Sequence, residues 1–105
     1  TWLDSGGRVN ATCGIGGVSG YTPLMLAAQQ GHERVVELLL QRGAESNLQG
    51  SMGRTALMGA AQEGHERVVE LLLQRGAEIN RQNSVGVTAL MIAAIQGHPA
   101  VVRRL

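Results

Sequence analysis

The stretch GHERVVELLLQRGAE occurs twice in this chain without any change, at residues 31–45 and again at residues 64–78. The two copies begin 33 residues apart (64 − 31), and three similar segments begin at the same interval with Gly20, Gly53 and Gly86. Such a period is typical of a quasi-one-dimensional fold, in which each unit packs mainly against its neighbours. We therefore expect a single repeat domain over residues 1–105, with units at 1–19, 20–52, 53–85 and 86–105.

Each unit is predicted to contain two short helices. Thr22, Thr55 and Thr88 are suitable N-cap residues, because a threonine hydroxyl accepts a hydrogen bond from an otherwise unpaired backbone N–H. Gly31 is expected to end the first helix, as a residue that readily adopts positive φ. The second helix is predicted to run from Glu33 to Arg42, and its apolar arc is too wide for one partner helix to cover. The pattern therefore predicts an all-α solenoid of stacked helix-turn-helix units.

The motifs T-P-L-x-x-A-A-x-x-G-H and V-V-x-L-L-L-x-x-G-A-x-x-N, at their 33-residue period, resemble the ankyrin repeat. The resemblance covers nearly the whole chain and implies β-hairpin-like fingers that project between the helix pairs. Met25, Met58 and Met91 stand where the family usually has histidine, so packing is expected to replace that side chain's hydrogen bonds. Gly50 stands where the family usually has aspartate and Asn83 only partly restores it, so we expect looser fingers at these two positions.

Both ends of the chain align with parts of a repeat. Trp2–Asn10 aligns with Leu39–Asn47, which implies the end of a truncated repeat, followed by a finger with a glycine-rich, four-residue insertion. Val101, Val102 and Leu105 are expected to be partly uncovered, because a finished solenoid needs a polar cap. We interpret the chain as a fragment of a longer array, and uncapped ends of this kind suggest end-to-end self-association.

Composition narrows the choice of partners. Cys13 is the only cysteine, so an internal disulfide is excluded and an intracellular, cytoplasmic or nuclear location is expected. A net charge of +1 and only two aromatic residues, Trp2 and Tyr21, argue against a nucleic-acid partner. No apolar run approaches the roughly 18 residues of a membrane span, so no membrane partner is expected.

Residues that could suggest chemistry have structural explanations. His32, His65 and His98 recur once per repeat, and packed helices lie about 8–10 Å apart, so the three cannot share one zinc ion. We expect each histidine to tie together the turn between its two helices. Gly14–Gly17 lacks the strand–loop–helix context and the Gly-Lys-Ser/Thr of a phosphate loop. Cys13 has no histidine beside it in the sequence to act as a base.

Two further patterns are also read as structural. Asn10 begins a glycosylation acceptor pattern, but it is the turn asparagine of the repeat. Four glutamates recur beside arginines and are expected to form a solvated, salt-bridged face: Glu33, Glu37, Glu66 and Glu70. No enzymatic activity, metal or cofactor is therefore expected.

Exposed positions at which the repeats differ are free to serve recognition. In the family that the chain resembles, partners usually bind the finger tips and the exposed side of the first helices, which line a concave groove. Carried onto this chain, the resemblance implies the following partner-binding residues: Tyr21, Gln29, Gln30, Ser51, Met52, Arg54, Gln62, Glu63, Ser84, Val85, Val87, Ile95 and Gln96. Val18 and Ser19 join this set in the first finger, and Arg42 and Arg75 are expected at the rim.

Five of these side chains are more apolar than a surface requires. Exposed together, Tyr21, Met52, Val85, Val87 and Ile95 would form a patch of the kind that marks an interaction site. The leading hypothesis is therefore a protein–protein interaction module. The alternative is an architectural or docking segment of a larger protein or assembly, with no separate ligand.

Overall fold

The computed structural model describes residues 9–15 and 18–105, which form one β-hairpin and six helices. The helix end expected within residues 1–8 lies outside the described residues. The hairpin pairs β1 (Cys13–Ile15) with β2 (Val18–Tyr21) in antiparallel register. The helices are α1 (Pro23–Gln30), α2 (Glu33–Gln41), α3 (Ala56–Glu63), α4 (Glu66–Gln74), α5 (Ala89–Gln96) and α6 (Pro99–Arg104).

The helices are arranged in three layers of two. In each layer the first helix packs against the second, as α1 packs against α2, and the layers stack in chain order. The first helices α1, α3 and α5 contact one another in sequence, and the second helices α2, α4 and α6 do the same. The expected all-α solenoid of helix pairs is therefore confirmed.

Local hydrogen bonds explain where the helices begin and end. The Thr22 hydroxyl accepts from the backbone N–H of Met25 at 3.2 Å, and Thr55 and Thr88 cap α3 and α5 in the same way. Gly31 ends α1 with φ of 75°, a conformation that costs glycine little because it has no Cβ. The second helix α2 is one residue shorter than predicted, because Arg42 serves as its C-cap.

The core is aliphatic and continuous through the layers, and two expectations about it are wrong. Val101 was expected to be partly uncovered but is fully buried, because its side of α6 belongs to the core shared with α4. Met25 and Met58 are buried, as expected, but Met91 at the equivalent position is 49% exposed. Packing therefore replaces the family's histidine at Met58, whereas the sulfur of Met25 accepts a hydrogen bond from the N–H of Thr22 at 3.5 Å. No described layer covers Met91.

The fingers at Gly50 and Asn83 were expected to be looser, but the same backbone hydrogen bond closes both of them. The N–H of Gly50 donates to the carbonyl of Arg54 at 2.8 Å, and the N–H of Asn83 donates to that of Val87 at 2.9 Å. The Asn83 side-chain oxygen also accepts from the N–H groups of Val85 and Val87, both at 3.0 Å. Any side chain at Gly50 would collide with the backbone of the adjacent finger, so close approach accounts for this glycine.

The loops after the second helices are joined by one asparagine per layer. The Asn10 side-chain oxygen accepts from the N–H of Glu45 at 2.9 Å, and Asn47 accepts from the N–H of Glu78 at 2.7 Å. Asn10 was expected to serve as a turn residue, and its side chain links its turn to the next layer. Glu37 and Glu70 form the expected ion pairs on their own helices, with Arg34 at 3.4 Å and Arg67 at 3.2 Å, and Arg104 of α6 pairs with Glu66 at 2.8 Å.

Candidate functional site

The candidate site is the surface formed by the three fingers and the exposed side of α1, α3 and α5. We call it the finger face and define it by the thirteen residues predicted to bind a partner: Tyr21, Gln29, Gln30, Ser51, Met52, Arg54, Gln62, Glu63, Ser84, Val85, Val87, Ile95 and Gln96. Every one of them lies within the described residues. Val18 and Ser19 are backbone members of β2, which packs against the second finger.

Backbone contacts bring the finger tips together in a row. The N–H of Ser84 donates to the carbonyl of Met52 at 3.0 Å, which joins the second and third fingers. Gly20 approaches the backbone of Ser51 so closely that a Cβ atom on Gly20 would lie 3.0 Å from the Ser51 nitrogen. The tips are therefore one continuous surface.

The exposed side of the inner helices changes character from layer to layer. In the second layer, the Arg54 guanidinium donates to the side-chain oxygen of Gln62, which joins the base of the finger to α3. The equivalent positions of the third layer hold Val87 and Ile95, neither of which can form such a bond. The second layer therefore has a polar pair where the third layer has two apolar side chains.

Three apolar side chains are well exposed on the finger face. Met52 is 68% exposed, Val85 75% and Ile95 74%, whereas Tyr21 and Val87 are half-buried. Met52 and Val85 occupy equivalent positions of successive finger tips. The predicted exposure is confirmed for these three side chains and is only partial for the other two.

Met52 has a backbone conformation that the sequence did not indicate. It lies in a 3-10 turn, Ser51–Gly53, with φ of 60° and ψ of 22°, and is the only residue other than glycine with positive φ in the described chain. An unbranched L-residue there is disfavoured by about 1–2 kcal/mol, because its Cβ crowds the backbone. No sequence signal in Met52 itself, such as an asparagine or glycine, could have predicted this turn.

Arg75, expected at the rim of the finger face, is the exposed C-cap residue of α4. It borders an open polar groove of about 580 Å³ together with the loop from Ala44 to Gln49. At the far side of this groove, Arg81 donates to Glu78 at 2.8 Å and to the Gln49 side chain at 3.1 Å. The hydrogen bond and charge of Arg81 lower the pKa of the Glu78 carboxyl below its ordinary value.

The side chains of His65 and His98 were expected to tie together the turn within their own layer, but they join successive layers instead. Nε2 of His65 donates to the carbonyl of Gln29 at 2.9 Å, and Nε2 of His98 donates to that of Gln62 at 2.9 Å. The described residues contain no group of three histidine, cysteine or acidic side chains that could hold a metal ion. In the same part of the chain, no helix is long and apolar enough to cross a membrane.

Helix pairs at a constant interval, with fingers in contact along one edge, define a helical repeat protein. The family model "Ankyrin repeats (3 copies)" matches residues 2–83, and the model "Ankyrin repeat" matches residues 85–105. The chain belongs to the ankyrin repeat family. Domains of this family are generally protein–protein interaction modules and typically have no enzymatic activity. A comparison with curated proteins gave no match.

Proposed function

We propose that this chain is an interaction module that binds a partner protein through the concave groove formed by its fingers and first helices. The observation that carries the proposal is the group of exposed apolar side chains at Met52, Val85 and Ile95. Single exposed apolar residues are ordinary on a protein surface, whereas a group of them on one surface often marks an interaction site.

The backbone of Met52 supports a recognition role rather than a folding role. A glycine would adopt its conformation with little strain, as Gly53 does in the next position with φ of 72°. The Met52 side chain is mostly exposed, so packing within the chain does not offset the strain. Strained residues cluster at ligand-binding sites, where the surrounding structure holds them in place.

The layer-to-layer change in polarity suggests the chemistry of the bound segment. An apolar part of the partner would cover Met52, Val85 and Ile95, and a polar part would meet the hydrogen-bonded pair of Arg54 and Gln62. Methionine adapts its shape to different partners because its side chain is unbranched and polarizable. The partner is therefore expected to present a short amphipathic segment across the second and third layers.

We propose that this chain binds without catalysing a reaction, and that it acts inside the cell. Cys13 has no histidine beside it in the sequence to act as a base, and one cysteine in the whole chain fits a reducing compartment. The alternative remains an architectural segment, in which the same apolar side chains would be covered by other parts of a larger protein or assembly.

Affinity capture with a matched control tests the proposal. The chain and its Met52→Asp/Val85→Asp variant are immobilised, and the proteins bound from cell extract are compared by quantitative mass spectrometry. We expect a specific group of proteins to be lost with the double variant and retained with Val102→Glu, a control on another surface. Circular dichroism verifies that each variant is helical. If the double variant retains every captured protein, binding through the finger face is wrong.

A further inference from the structure

We propose that Met52 is a reversible oxidation site through which a peroxide weakens partner binding at the finger face. This role rests on the proposed function, because it assigns regulation to one side chain of the same surface. The oxidation itself does not depend on the identity of the partner, since it takes place at a sulfur atom of this chain.

The chain contains four methionines, and three of them occupy one repeated position. Met25, Met58 and Met91 follow one another at intervals of 33 residues (58 − 25 and 91 − 58), each in the first helix of its layer. Met52 lies outside this series, in the turn at the tip of the second finger. The equivalent residue of the third finger is Val85, so the repeat itself does not require a sulfur atom at this position.

The methionine side chains differ in their access to a reagent in solution. Met52 is 68% exposed, whereas Met25 is 6% and Met58 is 1% exposed. Met91 lies between these values, at 49%. A thioether is oxidised only where the oxidant can reach its sulfur, so Met52 should be the first methionine of the folded chain to react.

Contacts with the fingers on both sides fix the position of Met52. Its carbonyl accepts from the N–H of Ser84 in the third finger at 3.0 Å. On the other side, a Cβ atom on Gly20 of the first finger would lie 3.0 Å from the nitrogen of Ser51. Met52 therefore lies in the middle of the row of described finger tips, and its side chain is exposed although a finger flanks it on each side.

The backbone conformation restricts which apolar side chains suit this position. Met52 has φ of 60° and ψ of 22°, and a β-branched residue is a marked outlier in this left-handed region. Valine is acceptable at the equivalent tip because Val85 does not have positive φ. Leucine and methionine are the large aliphatic residues without a branch at Cβ. Of these two, only methionine can be oxidised and then restored.

The reaction is an oxidation of the thioether by a peroxide. A lone pair of the sulfur attacks one oxygen of hydrogen peroxide, the O–O bond breaks and an S–O bond forms. The proton of the transferred oxygen passes to the departing hydroxide, which leaves as water. Sulfur has then lost two electrons, and methionine sulfoxide reductases return them from thiols.

Oxidation places a polar group where the partner is expected to present apolar atoms. Met52 and Val85 occupy equivalent positions of successive finger tips, and both side chains are exposed. An apolar segment that covered them would bury the sulfoxide oxygen without a hydrogen-bond donor. Because a buried polar atom without a partner is costly, we expect affinity to fall roughly tenfold. The fold should be unaffected, since Met52 is not packed in the core.

Peptide mapping tests the site of oxidation. Trypsin cleaves this chain after arginine and places each methionine in a different peptide, with Met52 in residues 43–54 and Met58 in residues 55–67. Mass spectrometry follows the sulfoxide in each peptide after treatment of the folded chain with hydrogen peroxide. The same reaction in urea gives the rates without structure. Met52 should react at nearly its rate in urea, and Met58 far more slowly. Equal rates for the two in the folded chain would overturn the proposal.

Affinity capture tests the effect on binding. The proteins followed are those that the chain captures and that Met52→Asp/Val85→Asp loses, at a bait concentration low enough for recovery to be proportional to affinity. Peroxide treatment of the unchanged chain should reduce their recovery roughly tenfold, and a sulfoxide reductase should restore it. The matched variant Met52→Leu keeps the other methionines and Cys13, so oxidation elsewhere would affect it equally. Its recovery should not change with peroxide.

The outcomes distinguish this role from the proposed function. If Met52→Asp/Val85→Asp loses no captured protein, the proposed function is wrong and regulation through Met52 is wrong with it. If that variant loses proteins that the oxidised chain retains, only the regulation is wrong. Equal losses from the oxidised chain and from peroxide-treated Met52→Leu would also reject Met52 as the site. If circular dichroism shows that Met52→Leu is not helical, Met52→Gln replaces it, and this polar variant should show the loss without peroxide.

Discussion

The same substitution at two equivalent positions of one repeated helix measures how much the layers stabilise each other. Both α2 and α4 read ERVVELLLQ, so Val35 and Val68 have the same neighbours in sequence and the same helix propensity. They differ in their surroundings, because Val68 is fully buried and Val35 is 46% exposed. We therefore predict that Val68→Ala destabilises the protein far more than Val35→Ala does.

The expected difference is about 2 kcal/mol. Val68→Ala removes two buried methyl groups, each worth about 0.8 kcal/mol of transfer free energy. A remaining cavity of roughly 40 Å³ adds about 1 kcal/mol, and the better helix propensity of alanine returns about 0.5 kcal/mol. For Val35→Ala the transfer loss is roughly halved and no closed cavity forms, so the propensity gain should leave a change within about 0.5 kcal/mol.

Urea denaturation followed by circular dichroism gives both values. The dependence of the unfolding free energy on urea should have the same slope in both variants, which shows that the extent of unfolding is unchanged. Equal losses of stability at the two positions would refute the assignment of Val68 to a packed interface between layers.

Three further predictions concern single sites. Leu72→Ala should lower the free energy of unfolding by about 2–5 kcal/mol. The exposed substitution Gln30→Ala should change it by less than about 0.5 kcal/mol. Similar free energies of unfolding for the two variants in urea would contradict the assignment of Leu72 to the core and of Gln30 to the surface. His98→Ala should cost about 1 kcal/mol more than His32→Ala, because, of these two side chains, only His98 bonds to a preceding layer within the described residues. Scanning calorimetry compares the two variants, and equal melting temperatures would count against that bond. Gly50→Ala should lower the free energy of unfolding by about 1–3 kcal/mol, since the added Cβ meets the backbone of the adjacent finger. An unchanged melting temperature would show that these two fingers separate freely.

Features governed by neighbouring residues in the chain could be predicted from the sequence. The caps at Thr22 and Thr55 and the helix end at Gly31 depend on hydrogen bonds within one turn, and all three were correct. The order of the layers also follows from the sequence, because equal spacing leaves each helix pair only its neighbours to pack against.

Features that depend on contacts across layers could not be predicted. His65 was expected to bond within its own turn, but its partner is 36 residues earlier in the chain. The exposure of Met91 and the burial of Val101 depend on which side of the stack each residue faces, and one repeat unit does not contain that information. On the finger face, the exposure of Met52 was predictable, but its left-handed backbone was not. The role of these residues in binding stays a prediction.

The identity of α2 and α4 also bears on how the chain folds. Each helix could dock on α1 or α3 with nearly the same side chains, so the helices themselves do not encode which pairing is correct. The choice is made by the connection, because only Gly31 and His32 separate α1 from α2. A short loop closes within about 0.1 μs, far sooner than one that spans a whole repeat. A mutation that lengthened this connection would therefore favour exchanged helices before it weakened any contact in the native stack.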